Sequence, residues 1–168
     1  MKLIASFQVD HTRIVPGIYV SRRDEIDGGW ITTFDVRMKT PNKEPAIHPN
    51  AMHTIEHVVA TYLRNSRIRD HIVYWGPMGC LTGFYLIVKT REKAMPKDVE
   101  PYVRAAFRHQ AKYTGEVPGA TPVNCGNYLL HDLPMARIEA KAFLEREWRF
   151  DYPKARRTTA KGKVFFDA

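Results

Sequence analysis

The stretch DGGWITTFDVRM, residues 27–38, constrains the fold most. Asp27-Gly28-Gly29 is a hairpin turn signal. After it Trp30, Thr32, Phe34, Val36 and Met38 alternate with Ile31, Thr33, Asp35 and Arg37. A period of two over that length specifies a half-buried strand, with Asp35 and Arg37 together on its polar face. Further strands are expected over residues 3–9, 17–22, 71–75 (HIVYW) and 83–89 (GFYLIVK), with a two-glycine turn, GPMGC, at 76–80.

Helical signals lie between the strands. The loop TPNKEPAIHPN (40–50) ends where a helix can start on Pro49 to Ala51, because proline is tolerated in a first turn. Met52, Ile55, Val59, Tyr62 and Leu63 then recur at helical spacing. An amphipathic helix is expected over 97–113, closed by Gly115. After the irregular loop EVPGATPVNCGN (116–127), a last helix is expected from Asp132 as N-cap, through Pro134, to about Trp148. The order predicts an α+β domain: an antiparallel sheet with three to four helices packed on one side.

The chain has 168 residues, 44% hydrophobic and 26% charged, which suits one domain with a single core. No apolar run nears the roughly 18 residues that span a bilayer. The start MKLIASFQVDH turns polar too early for an export signal, so the expected compartment is the cytoplasm. The net charge of +8 raises the question of a nucleic-acid partner. It is scattered, apart from residues 151–168, whose five Lys/Arg against two Asp make a basic tail beyond a catalytic domain of residues 1–150. With no nucleic-acid motif in the chain, a solvated basic surface is the expectation.

The chemistry concentrates in HTIEH, residues 53–57. Histidines four apart share one face of a helix, and the stripe of Met52, Ile55 and Val59 supplies the core without them. His53 and His57 can therefore take two positions of a tetrahedral metal site, with Glu56 beside them for proton transfer. This H-x-x-E-H order also occurs in inverted zinc peptidases. Candidates for a third ligand are Cys80, Cys125, His11, His48, His71, His109, His131 and many carboxylates. Spacing does not choose between the thiols, but it suggests that one binds metal and the other reacts. His131 reads as structural, at a helix N-terminus. A peptidase would instead take a downstream glutamate, and a nucleic-acid-binding module would bind no metal.

SFQVDH (6–11), FDVR with PNKE (34–37, 41–44), HTIEH (53–57), PMGC with TGFYL (77–80, 82–86), and NCGN with HDL (124–127, 131–133) resemble, in order, the segments of LuxS, the S-ribosylhomocysteine lyase family. The resemblance covers most of residues 6 to 140. It implies a carbon-sulfur lyase that cleaves S-ribosylhomocysteine to homocysteine and 4,5-dihydroxy-2,3-pentanedione, the autoinducer-2 precursor, by two carbonyl shifts and a β-elimination. It implies His53, His57 and Cys125 as metal ligands, Glu56 and Cys80 as the acid/base pair, and Arg37 as support for the reactive thiol. Ser6 and His11 would line the substrate site from the neighbouring subunit of a homodimer, with both sites at the interface. One divalent metal per subunit is implied, Fe2+ first, with Zn2+ or Co2+ able to replace it; the partners are a small-molecule substrate and a second copy, with no nucleic acid and no membrane. The chain departs from the pattern at Tyr74-Trp75-Gly76, where many relatives carry Asp-Ile-Ser, and near Lys39, where relatives often carry a cysteine.

Overall fold

A computed structural model describes residues 9–153. The expected first strand over 3–9 lies outside these residues except for Val9, which sits in a bend, and Ser6 lies outside them altogether. Strands β1 (Gly17–Ile26), β2 (Gly29–Arg37), β3 (Ile72–Pro77) and β4 (Gly83–Thr90) form one antiparallel sheet in the order β1-β2-β4-β3. β1 runs four residues past the expected Arg22, because the hairpin stays paired down to Ile26 opposite Gly29. Gly28 makes the turn at φ +74°, a backbone region that costs glycine little.

The helices are α1 (Pro49–Arg64), α2 (Pro96–Lys112) and α3 (Leu133–Leu144), with a short 3-10 turn at Arg69–His71. Thr32, Phe34 and Val36 of β2 stand in register with Val88, Leu86 and Phe84 of β4. The apolar members of this face join Met52, Ile55, Val59 and Leu63 of α1, Val103 and Phe107 of α2 and Phe143 of α3 in one core. Burying each large side chain contributes about 1.5–3 kcal/mol. Trp75 stacks on Phe84 at 4.6 Å and meets Phe107 edge-on, tying sheet to helices.

Three expectations need correction. Gly115 does not close α2: the helix ends at Tyr113, which turns extended, and its hydroxyl donates to the Glu116 carbonyl, so a tyrosine folds the chain back. α3 stops at Leu144 rather than Trp148. Trp148 instead packs flat on Phe143 and donates its indole N–H to the Phe143 carbonyl, 2.7 Å away. The polar face of β2 is not solvated at its end, since Asp35 and Arg37 are each only 3% exposed.

The chain after α3 explains that burial. Arg149 bridges the start of β1, with Ile18 N–H donating to the Arg149 carbonyl and Arg149 N–H to the Pro16 carbonyl. Gly17 permits the approach, since a Cβ there would lie 2.0 Å from the Arg149 carbonyl oxygen. Tyr152 is thereby laid on Tyr19, ring centroids 4.7 Å apart and nearly parallel. Tyr19 is in turn the register partner of Asp35.

Candidate metal and thiol site

α1 begins as expected, with His48 as N-cap accepting from the Asn50 N–H and Pro49 in the first turn. One turn apart on this helix, His53 and His57 meet at 90° with ring centroids 4.5 Å apart. His53 Nδ1 lies 2.8 Å from the Leu130 carbonyl and His57 Nδ1 2.7 Å from the Pro118 carbonyl. A carbonyl only accepts, so each Nδ1 donates a proton and Nε2 is the ring atom left to face a metal. Metal-binding histidines need this outer support.

The loop before α3 supplies the remaining donors. It is pinned to α1 where the Asp132 N–H reaches the Asn50 carbonyl and the Thr54 hydroxyl. Cys125 Sγ sits 3.4 Å from His53 Nε2 and receives the Asn127 N–H. The ligating atoms of His53, His57, Cys125 and His131 all lie within 4.8 Å of one another, a group that could hold one metal ion. Two imidazoles and a thiolate suit iron, zinc or cobalt. The downstream glutamate expected for a peptidase is not among these four residues.

His131 is a member that the sequence left as structural. Thr54 spends its hydroxyl proton on the Asn50 carbonyl, so the 3.2 Å contact with His131 Nδ1 is a bond that the imidazole donates. That leaves His131 Nε2 as a lone pair, buried and without a hydrogen-bond partner among the described residues. Burial, and then the charges of His53 and His57, hold its pKa down at about 4, so the ring is neutral. Its ring is stacked on His53, centroids 4.3 Å apart and 15° from parallel. A ring nitrogen binds metal along a lone pair in the plane of the ring. Two nearly parallel planes do not meet at an ion, whereas the perpendicular planes of His53 and His57 do. As placed, His131 buttresses His53.

The second centre is the turn between β3 and β4. Arg37 donates through Nε and Nη2 to the two carboxylate oxygens of Asp35, at 3.1 and 2.5 Å. Its Nη1 donates to Thr82 Oγ1 at 2.6 Å and reaches Cys80 Sγ at 3.6 Å. Thr82 Oγ1 accepts from Arg37, which frees its own proton for Cys80 Sγ, 3.1 Å away. Burial acts to raise the Cys80 thiol, but the Thr82 hydroxyl and backbone N–H and the Arg37 charge outweigh it and hold the thiol below its ordinary value. Burial opposes the Arg37 charge as well, and the facing Asp35 carboxylate more than offsets it.

Of the other expected residues, Glu56 is half-buried on α1, three residues after His53 and one before His57. His11 is half-buried and hydrogen-bonded to the Val9 carbonyl, near Asp35, whose carboxyl burial raises against the pull of the Arg37 charge. Cys80 and Cys125 are free thiols, Cys80 exposed. The participation of Thr82 and Tyr152 was not read from the sequence. Thr82, two residues past Cys80 at a strand entry, was within reach of such a reading. Tyr152, which donates to Asp35 Oδ2 at 3.0 Å from 117 residues away, left no local signal.

The S-ribosylhomocysteinase (LuxS) family model matches residues 4–152. The S-ribosylhomocysteine lyase of Phocaeicola vulgatus is 58% identical over 145 residues, covering 86% of this chain and 89% of the relative. That of Porphyromonas gingivalis is 53% identical over 145 residues, covering 86% and 90%. That of Clostridium acetobutylicum is 46% identical over 160 residues, covering 92% and 100%.

Proposed function

The chain belongs to the S-ribosylhomocysteinase (LuxS) family, and from that membership we propose that it is an S-ribosylhomocysteine lyase, splitting S-ribosyl-L-homocysteine into L-homocysteine and 4,5-dihydroxy-2,3-pentanedione. The observation that carries the reading is the convergence of His53, His57 and Cys125 donor atoms within a chain 58% identical to a relative of that name.

The sulfur leaves from C5 of the sugar, so β-elimination requires a carbonyl at C3. The free sugar carries its carbonyl at C1. Two successive shifts move it to C3, each taking a proton from the carbon next to the carbonyl and returning one to the carbon that has lost it. Removal of the C4 proton then expels the homocysteine thiolate. Neither water nor an oxidant enters the balance. A divalent ion held by His53, His57 and Cys125, Fe2+ first and Zn2+ or Co2+ as substitutes, would act as a Lewis acid toward the sugar oxygens.

The protein groups move the protons. Cys80 serves as one base, because Thr82 and Arg37 hold its thiol below the ordinary value. Glu56 serves as the second acid/base group beside the histidines. Arg37 supports the thiolate, while Ser6 and His11 position the substrate. We take the working unit as a homodimer with Ser6 and His11 contributed across the interface. The exposed apolar side chains that flank Cys125, Val123 at 91% and Leu129 at 76%, support such a covering surface. Two free thiols are consistent with the cytoplasm, and no helix among the described residues is long and apolar enough to cross a membrane. The product would feed autoinducer-2 signalling and the activated methyl cycle.

The test is product identity. Metal-loaded protein incubated with S-ribosylhomocysteine should yield homocysteine, together with a dicarbonyl that an aromatic ortho-diamine captures as a quinoxaline. Capture of no such adduct while substrate is consumed would contradict the route.

A further inference from the structure

Arg37 can support a thiolate only if its guanidinium is held in one orientation. Nε and Nη2 are both committed to Asp35, and that fork fixes the plane of the group and turns Nη1 toward Thr82 and Cys80. The carboxylate needs holding in turn, since a buried ion pair functions only with its remaining lone pairs satisfied. Asp35 Oδ2 has a second donor, the Tyr152 hydroxyl at 3.0 Å. Tyr152 is itself fixed by the Tyr19 stack and by the bridge that Gly17 permits between β1 and Arg149. Tyr19 is locked by its own hydroxyl, which donates to the Val15 carbonyl at 2.7 Å.

We propose that Asp35 and Tyr152 are positioning residues for the reaction: the segment after α3 returns to the sheet so that the Tyr152 phenol fixes Asp35, Asp35 fixes Arg37, and Arg37 with Thr82 holds the Cys80 sulfur. The proposal rests on the base role given to Cys80 above. It also makes Tyr152 part of the catalytic unit, which then ends beyond residue 150. Among the described residues, the titratable and charged groups around this face are Asp35 and Arg37 of β2, Cys80 of the turn before β4, Tyr85 of β4, Tyr19 of β1, and His11, Arg149 and Tyr152 from the flanking segments.

The experiment uses the metal-loaded full chain and reads alkylation of Cys80 by iodoacetamide against pH, with the Cys80 peptide quantified separately by mass spectrometry. Tyr152→Phe removes one hydroxyl and keeps the ring that stacks on Tyr19. Asp35→Asn keeps the shape and removes the charge. Tyr152→Phe changes no charge, so it should move the Cys80 midpoint to higher pH and lower kcat about tenfold at neutral pH with KM unchanged, the scale of one lost bond to a charged group. Asp35→Asn also deletes an anion, which by itself favours the thiolate, so it is read by a fall in kcat at least as large. If Asp35→Asn fails to fold, Tyr152→Phe decides alone. A Tyr152→Phe midpoint that coincides with the wild type would overturn the proposal. Because alkylation needs no substrate, that result is separable from a failure of lyase activity, which would count against the function instead.

Discussion

His53 and His57 meet edge to face, their planes at 90° and their ring centroids 4.5 Å apart. The right angle lets two residues of one helix turn aim their lone pairs at a common point. The carbonyls of Leu130 and Pro118 hold each ring in the tautomer that leaves that lone pair free. Removing either ring or the Cys125 sulfur should therefore remove the ion. Cys125→Ala and His57→Ala are expected to purify with little bound metal, whereas Cys80→Ala keeps its metal and loses about 10²–10⁴-fold in turnover, the usual contribution of a positioned acid/base group. Elemental analysis beside a thiol assay separates the two classes. Metal retained by Cys125→Ala would remove the sulfur from the ligand set.

The near-parallel stack of His131 on His53 predicts a different phenotype. His131→Ala should weaken metal binding by about 10–100-fold, the effect of losing outer support, and leave the visible spectrum of the Co2+ form unchanged in shape. His53→Ala should change that spectrum or abolish it. A spectrum that changes in His131→Ala would make His131 a ligand.

Much of the site was legible because its chemistry is periodic. HTIEH announces itself through i, i+4 spacing, and β2 through alternation after a glycine turn. Alternation also misled, since it assigns polar residues to solvent. Asp35 and Arg37 are buried because Tyr152 and Tyr19 cover them, an arrangement made by chain that is distant in sequence. The ends of α2 and α3 were misplaced for a related reason. Tyr113 and Trp148 terminate them through side-chain bonds to backbone carbonyls, which leave no spacing to read. His131 has no sequence spacing to His53 and His57; the bonds of Asn50, His53 and Thr54 to the loop bring it in.

The lowered thiol of Cys80 sets the sign of a pH effect. A depressed value means that thiolate is present at lower pH than in an unperturbed cysteine, so the alkylation rate should begin its rise earlier. Thr82→Val deletes the hydroxyl bond and leaves the burial that raises the thiol, so its alkylation midpoint should move up in pH, and activity at neutral pH should fall. An unmoved midpoint in Thr82→Val would assign the shift to the Thr82 backbone N–H and Arg37.

Gly17 is a packing requirement rather than a turn. Gly17→Ala places a methyl against the Arg149 backbone, where the nearest atom is a carbonyl oxygen 2.0 Å away. It should cost about 1–3 kcal/mol, as other overpacked sites do. A thermal melt would show a lowered Tm, and proteolysis should cut the segment around Arg149 sooner than in the wild type. An unchanged melt would mean that the bridge does not fasten this segment.

A cation held by His53, His57 and Cys125 should be what lets the chain break a sugar thioether. The most direct measurement is release of free thiol from S-ribosylhomocysteine by anaerobically prepared protein, before chelation, after chelation, and after Fe2+ or Co2+ is restored. Release should disappear on chelation and return with the metal; release that persists at full rate in metal-free protein would contradict a metal-dependent route.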